Sequence, residues 1–209
     1  MVNLKIILYN IFMSYKNEVA PRSELLNPIH WTGEGNCLAS VTATAINSLG
    51  KLQTPITSKE ISLYFKKHNA ASIHHVLKEL ENQHGQTGVG YENLFIDQNR
   101  LWQFIRDSLG RRSLIALQVN IERFTEIVMR FPANHPILSL LDHLDNFLLG
   151  ELGTTHAILL YGYSDLGQMV TWCDHFTPIS NTKLSLITQS LPKLGIFSNR
   201  MLVGEFYGT

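Results

Sequence analysis

The chain has 209 residues, 44% of them hydrophobic, with 17 Lys plus Arg against 17 Asp plus Glu. This balance excludes net charge as the basis for recruiting nucleic acid or an anionic membrane, and the length suffices for one sizeable core. No linker-like or low-complexity stretch divides the chain, so one domain over residues 1–209 is expected, and no apolar run reaches the roughly 18 residues a membrane helix needs.

In chain order, the first run is MVNLKIILYNIFM, which reads as a packed element rather than a signal peptide. Asn10 interrupts its apolar stretch and no small-residue cleavage site follows. The segment GEGNCLASVTATAINSLG then opens a helix at Cys37 from a glycine-rich turn. Leu38, Val41, Ala45 and Ile46 recur at helical spacing, and Gly50 suits a cap after Leu49. Thr57 or Ser58 can cap the next helix, in which Ile61, Tyr64 and Phe65 share a face. Ser72 to Gln83 follows with Ile73, Val76, Leu77 and Leu80 on one face, and Asn99 to Leu109 with Leu101, Trp102 and Ile105. The first half is therefore expected to be mostly helical.

The second half changes period. SLIALQVN, HAILLYGY, QMVTWCD and MLVGEFYG are short runs rich in β-branched and aromatic residues, with turn signals between them, and predict strands. Helical insertions are expected at Glu122 to Arg130 and Ile137 to Leu149. A compact turn over Ser164 to Gly167 predicts an antiparallel hairpin of HAILLYGY with QMVTWCD. Helices followed by strands point to the α+β class.

That hairpin matters chemically. Its outer ends carry His156 and, 18 positions later, Asp174, so the two become neighbours in space. Cys37, far upstream, heads a helix, where its thiol feels the positive end of the backbone dipole. A histidine brought beside it can take its proton and hold the thiolate as an ion pair. Cys, His and Asp in these roles suit nucleophilic acyl transfer: Cys37 as nucleophile, His156 as general base and acid, Asp174 as the acceptor that orients the imidazole.

A cysteine-headed helix followed by a sheet supplying His and then Asp resembles the papain-like cysteine peptidase superfamily. HAILLYGY followed by WCDHFTP looks like that superfamily's His strand and the Asp or Asn strand after it, notably in bacteriocin-leader peptidase-like members. There an Asp-Pro pair often occurs, where this chain has Asp174-His175. NCLAS, with Asn47 and Leu49 downstream, is similar to the cysteine helix of phytochelatin synthases, which also place Asp 18 residues after His but put glycine directly after the cysteine. The resemblance covers Trp31 to Gly50 and Thr155 to Pro178. It implies a papain-like fold, with the Cys37 helix packed on a mostly antiparallel sheet that carries His156 and Asp174, and an acyl-enzyme acting on amide or peptide bonds. The superfamily usually carries a glutamine about six residues before the cysteine as oxyanion donor. Here Trp31 stands at that place and no glutamine precedes Cys37 at all. Replacement donors are the backbone N–H of Cys37, the side chain of Asn36, and His30 or the Trp31 indole N–H; a donor of this kind contributes about 3 kcal/mol.

Each residue also has a plainer reading. Cys37 can be a buried structural thiol, His156 a satisfied strand histidine, Asp174 the end of a strand and Asn36 a helix N-cap. Cys173, adjacent to Asp174, should point to the opposite face and belong to the core. No metal or other cofactor is expected: His74 and His75 diverge around a helix, and Asp142, His143 and Asp145 read as a solvated helix side. Two cysteines build no disulfide framework, so a reducing compartment is expected, the cytosol of the producer or, for a secreted effector, of a host.

The expected activity is a thiol peptidase with a peptide or protein as its partner. The alternatives are an acyltransferase of the same fold (transpeptidase, deamidase or transglutaminase) and a catalytically silent peptide-binding domain.

Overall fold

The β-branched and aromatic runs of the second half assemble the centre of the molecule. In a computed structural model, the described residues are 25–26, 29–33, 36–67, 72–128, 155–175, 179–192 and 199–209. In chain order they form β1 (Leu25–Leu26), α1 (Cys37–Leu49), α2 (Ser58–Lys67), α3 (Ile73–His84), β2 (Val89–Asp97), α4 (Leu101–Gly110), β3 (Leu114–Asn120) and α5 (Ile121–Ile127). There follow β4 (Thr155–Ser164), β5 (Met169–Cys173), β6 (Ser180–Lys183), α6 (Leu184–Gln189) and β7 (Arg200–Gly208). Every described strand pair is antiparallel and the sheet runs β2-β7-β3-β4-β5-β6, with β1 paired to the last residues of β4. The class is α+β.

Helices cover both faces of this sheet. On one, Val41, Ala45 and Ile46 of α1, Ile61 and Phe65 of α2 and Val76 and Leu80 of α3 are buried with Leu114, Ala116, Ala157, Leu159 and Phe206. On the other, Leu101 and Ile105 of α4, Phe124 of α5 and Leu184 and Ile187 of α6 pack with Leu117, Ile158, Leu160, Trp172 and Val203. Period-two alternation along β3 and β4 feeds both layers at once, which is why HAILLYGY is apolar at nearly every position. A register shift between Leu160 and Gly162 breaks the alternation. Tyr161 therefore faces the α1 layer while Tyr163 turns to the opposite one, where it meets Trp102 edge-on at 5.8 Å.

The helix at Cys37 ends at Leu49 as the periodicity predicts, but Gly50 stops it in an extended conformation (φ −78°, ψ 173°) rather than a left-handed one. Its lack of a side chain answers to crowding: a Cβ there would lie 2.5 Å from Ile46 O and 2.9 Å from Thr87 O. The expected hairpin is present, turning through Asp165 and a short 3-10 segment, Leu166–Gln168.

The described first half is mostly helical, as its periods predict, but β2 also lies within it. VGYENLFID lacks strict alternation and carries Gly, Glu, Asn and Asp, all poor strand formers; its stability comes from pairing along its whole length with β7, from Val89↔Gly208 to Asp97↔Arg200. Polar β6 and the short α6 were likewise not anticipated. The N-terminal run Met1 to Met13, the insertion Ile137 to Leu149, and Asp142, His143 and Asp145 lie outside the described residues. Among the described residues, no helix is long and apolar enough to cross a membrane.

Candidate active site

The orientation of α1 follows from its far end. Lys51 N–H donates to Thr87 O at 2.9 Å, and a Cβ on Gly50 would touch Val89 Cγ2 at 3.2 Å. Val89 pairs with Gly208, Phe206 with Leu114 and Ile115 with Leu160, so this is the rim where β2 and β3 begin and β4 and β7 end. Thirteen helical residues advance about 19 Å, the span of about six strand residues. Cys37, buried in one layer with Ala157 and Cys173, therefore points toward the opposite rim, where β4 begins and β5 ends.

His156 and Asp174 stand at that rim. Imidazole Nε2 lies 3.0 Å from Asp174 Oδ2, and both side chains are buried, 3% and 0% exposed. A carboxylate only accepts, so Nε2 carries the hydrogen and donates it, which leaves Nδ1 as the nitrogen that takes up a proton. The hairpin thus brings the two together as its sequence predicts. Phe124 of α5 lies tilted beside the imidazole at 6.1 Å and edge-on to Trp172 at 5.2 Å. Trp172 in turn donates from Nε1 to Thr182 Oγ1 at 3.0 Å, tying the hairpin to β6.

Alternation gives the site two sides. His156, next to Ile158 on β4 and beside Phe124, belongs to the α5 side of the rim; Cys37 lies on the α1 side with Ala157. The thiol is 4% exposed, and no hydrogen bond joins it to His156 among the described residues.

The proposed oxyanion donors fare differently from one another. Asn36 is the N-cap of α1: its Oδ1 accepts Ala39 N–H at 2.7 Å and its Nδ2 faces Ser62 Oγ at 3.4 Å, so both ends of the amide serve the framework. His30 is excluded by position. Its N–H donates to Ser48 Oγ in the last turn of α1, about 16 Å along the axis from Cys37. The Trp31 indole N–H is already committed to Asp174 O at 2.7 Å, which pins the end of β5. Trp31 lies so close over Gly33 that a Cβ there would come within 2.2 Å of the ring, which accounts for glycine at that place.

Cys173 is core, as its neighbour's orientation required. It is 1% exposed, and burial first, then the adjacent Asp174 carboxylate, pushes its thiol well above the ordinary range. Both cysteines are free.

His175 went unrecognised in the sequence, where it figured only as a departure from an Asp-Pro pair. It is 6% exposed and its ring centre lies 5.3 Å from that of His156. Its signal was a titratable side chain directly after Asp174.

Among the described residues, no group of three or more His, Cys, Asp or Glu side chains is arranged to hold a metal ion. His74 and His75 are solvent-exposed on α3. Two open cavities of about 350 and 380 Å³ lie away from Cys37, around Gln98, Arg123, Asn199 and Arg200. No family model matches the chain, and no curated protein matches it in sequence.

Proposed function

We propose that the chain is a papain-like cysteine hydrolase acting on amide or peptide bonds through Cys37, His156 and Asp174. One observation carries the reading: a buried imidazole–carboxylate contact of 3.0 Å sits at the rim of the sheet toward which the start of the cysteine helix points. In this scheme the Cys37 thiol gives its proton to Nδ1 of His156 while sulfur adds to the acyl carbon. Collapse of the adduct breaks the bond to the leaving amine, which takes the proton from His156, and water then releases the acyl group. Asp174 keeps the hydrogen on Nε2 and stabilises the imidazolium. The substrate is a peptide or protein, and the two free thiols suit a reducing compartment.

Cys37→Ala and Cys37→Ser are expected to abolish turnover and labelling by a thiol-directed peptide electrophile. Labelling that survives in Cys37→Ala overturns the assignment. A second reading, a silent peptide-binding domain of the same fold, is favoured by the two-sided rim and by the absence of a described hydrogen bond from the thiol to His156. Iodoacetamide separates the two: a catalytic thiol is alkylated at neutral pH far faster than free cysteine, and a silent one is not. An amine in place of water as acceptor, giving transpeptidation, deamidation or transglutamination, would leave the same residues in the same roles.

A further inference from the structure

The side-chain oxyanion donors anticipated near Cys37 are engaged by the framework or distant, and the tertiary fold brings in a side chain from elsewhere. Gln118 lies on β3, the strand between β7 and β4, and is the only exposed residue of that strand. Its Cα partner on β4 is Ala157, one residue after His156, and Ala157 is buried in the same layer as Cys37. Leu114 and Ala116, four and two positions earlier on the same face of β3, are also buried in that layer. Directly opposed residues of antiparallel strands have Cβ atoms about 5 Å apart, and a glutamine amide reaches about another 4 Å, so Gln118 commands the surface over Ala157, on the face and toward the rim to which the start of α1 points.

The surroundings are those of a binding surface rather than of a sealed core. Leu202, next to Val203 of the Leu117↔Val203 pair that ends the β3–β7 ladder, lies on the same face of the sheet and is 37% exposed, and its partner Phe95 on β2 is 65% exposed. The α1 face is thus uncovered by described residues at Gln118, Leu202 and Phe95. The Gln118 amide makes no hydrogen bond with any described residue, so its two N–H donors are uncommitted there.

Resting on the cysteine-hydrolase reading, we propose that Gln118 is the oxyanion donor that the segment before Cys37 lacks. As sulfur bonds to the acyl carbon, the carbonyl π pair moves onto oxygen, the thiol proton passes to His156, and a Gln118 side-chain N–H donates to the new oxyanion together with the Cys37 backbone N–H. Collapse returns that pair to the C=O bond and expels the leaving group.

Two small probes test this without knowledge of the natural substrate. p-Nitrophenyl acetate acylates a thiol through a tetrahedral adduct and releases p-nitrophenolate in a burst; iodoacetamide alkylates the thiolate by direct displacement and builds no oxyanion. Both are measured on the full chain for wild type, Gln118→Ala and the isosteric Gln118→Glu, with Cys37→Ala as blank. The expected result is a burst rate lowered about 100-fold in both Gln118 variants with iodoacetamide rates within about twofold of wild type. A burst rate equal to wild type overturns the role of Gln118 while leaving the Cys37 reading standing. A parallel fall in both reactions also overturns it, by showing that Gln118 acts on the thiol or the fold. A wild type that gives no burst above the blank and reacts with iodoacetamide no faster than free cysteine removes the hydrolase reading and this inference together.

Discussion

A carboxylate whose exposed fraction is zero, 3.0 Å from a ring nitrogen, is an expensive arrangement unless each group satisfies the other. At the scale of single residues, the physical demand on Asp174 is that it accept the Nε2 hydrogen and hold the ring with Nδ1 turned away from the carboxylate. An amide oxygen can still accept that hydrogen, whereas a methyl group cannot. Asp174→Asn, which keeps an acceptor but loses the charge that stabilises the imidazolium, is therefore expected to lower turnover of a thiol-ester or activated-ester probe, and Asp174→Ala to lower it at least as far, toward about 10⁴-fold. Asp174→Ala should also lose about 1–3 kcal/mol of stability, from the stranded buried imidazole. Burst kinetics and thermal unfolding of the two variants check both statements; equal activity in all three proteins would remove Asp174 from the site. His175 bears on the same chemistry. It follows Asp174 directly and brings its ring centre to 5.3 Å from that of His156, so the buried end of β5 holds a second imidazole beside the first.

Among the elements, α2 shows how a short local pattern decides where a helix starts. Thr57 Oγ1 accepts Glu60 N–H at 3.2 Å, while Glu60 Oε2 accepts Thr57 N–H at 2.7 Å, a reciprocal capping box in which each side chain satisfies the other residue's backbone. The Thr57 backbone N–H, and after it the Thr57 hydroxyl, hold the Glu60 carboxyl below its ordinary value of 4.5. A depressed carboxyl stabilises the fold above its ordinary value, and this contribution disappears as falling pH protonates it in the folded state. Thr57→Ala is expected to cost about 1 kcal/mol, a melting shift of about 2–4 °C for a chain of this size. For Glu60→Gln, the deficit relative to wild type should be present at pH 7 and shrink as the solution is acidified below pH 4.5. Thermal melts across that range check the sign, and a deficit that grows in acid would contradict the capping assignment. At the other end of the first helix, Gly50 illustrates a cap set by crowding: the close approach of Ile46 O and Thr87 O, not a left-handed backbone, keeps that position free of a side chain.

For the molecule as a whole, β3 and β4 supply side chains to both helical layers, so neither layer can melt without disturbing strands the other needs. Leu80→Ala in α3 and Ile187→Ala in α6, both at fully buried positions, are each expected to cost about 2–5 kcal/mol. In each variant, near-ultraviolet and far-ultraviolet circular dichroism should follow one common transition; two separate transitions would show that the layers fold independently. The same sharing explains which parts of the molecule could be read in advance. The helix from Cys37 to Leu49 was legible because its apolar residues repeat at a local period. The β4–β5 hairpin was legible because two β-rich runs flank a short turn, and from it the meeting of His156 with Asp174 followed. β2 escaped notice because VGYENLFID owes its strand to nine pairings with β7, more than a hundred residues away. The partners of His30 and Trp31 were illegible for a related reason: their hydrogen bonds go to Ser48 and to Asp174 O, which no spacing ahead of Cys37 records. The amino-acid sequence alone determined the α+β class and the residues able to carry thiol chemistry, because period, turn type and side-chain chemistry act within a few residues of one another. Only the tertiary structure decided which rim Cys37 points to, that His175 lies against His156 and that Gln118 stands beside Ala157, because strand register between distant segments is set by the packing of the whole sheet.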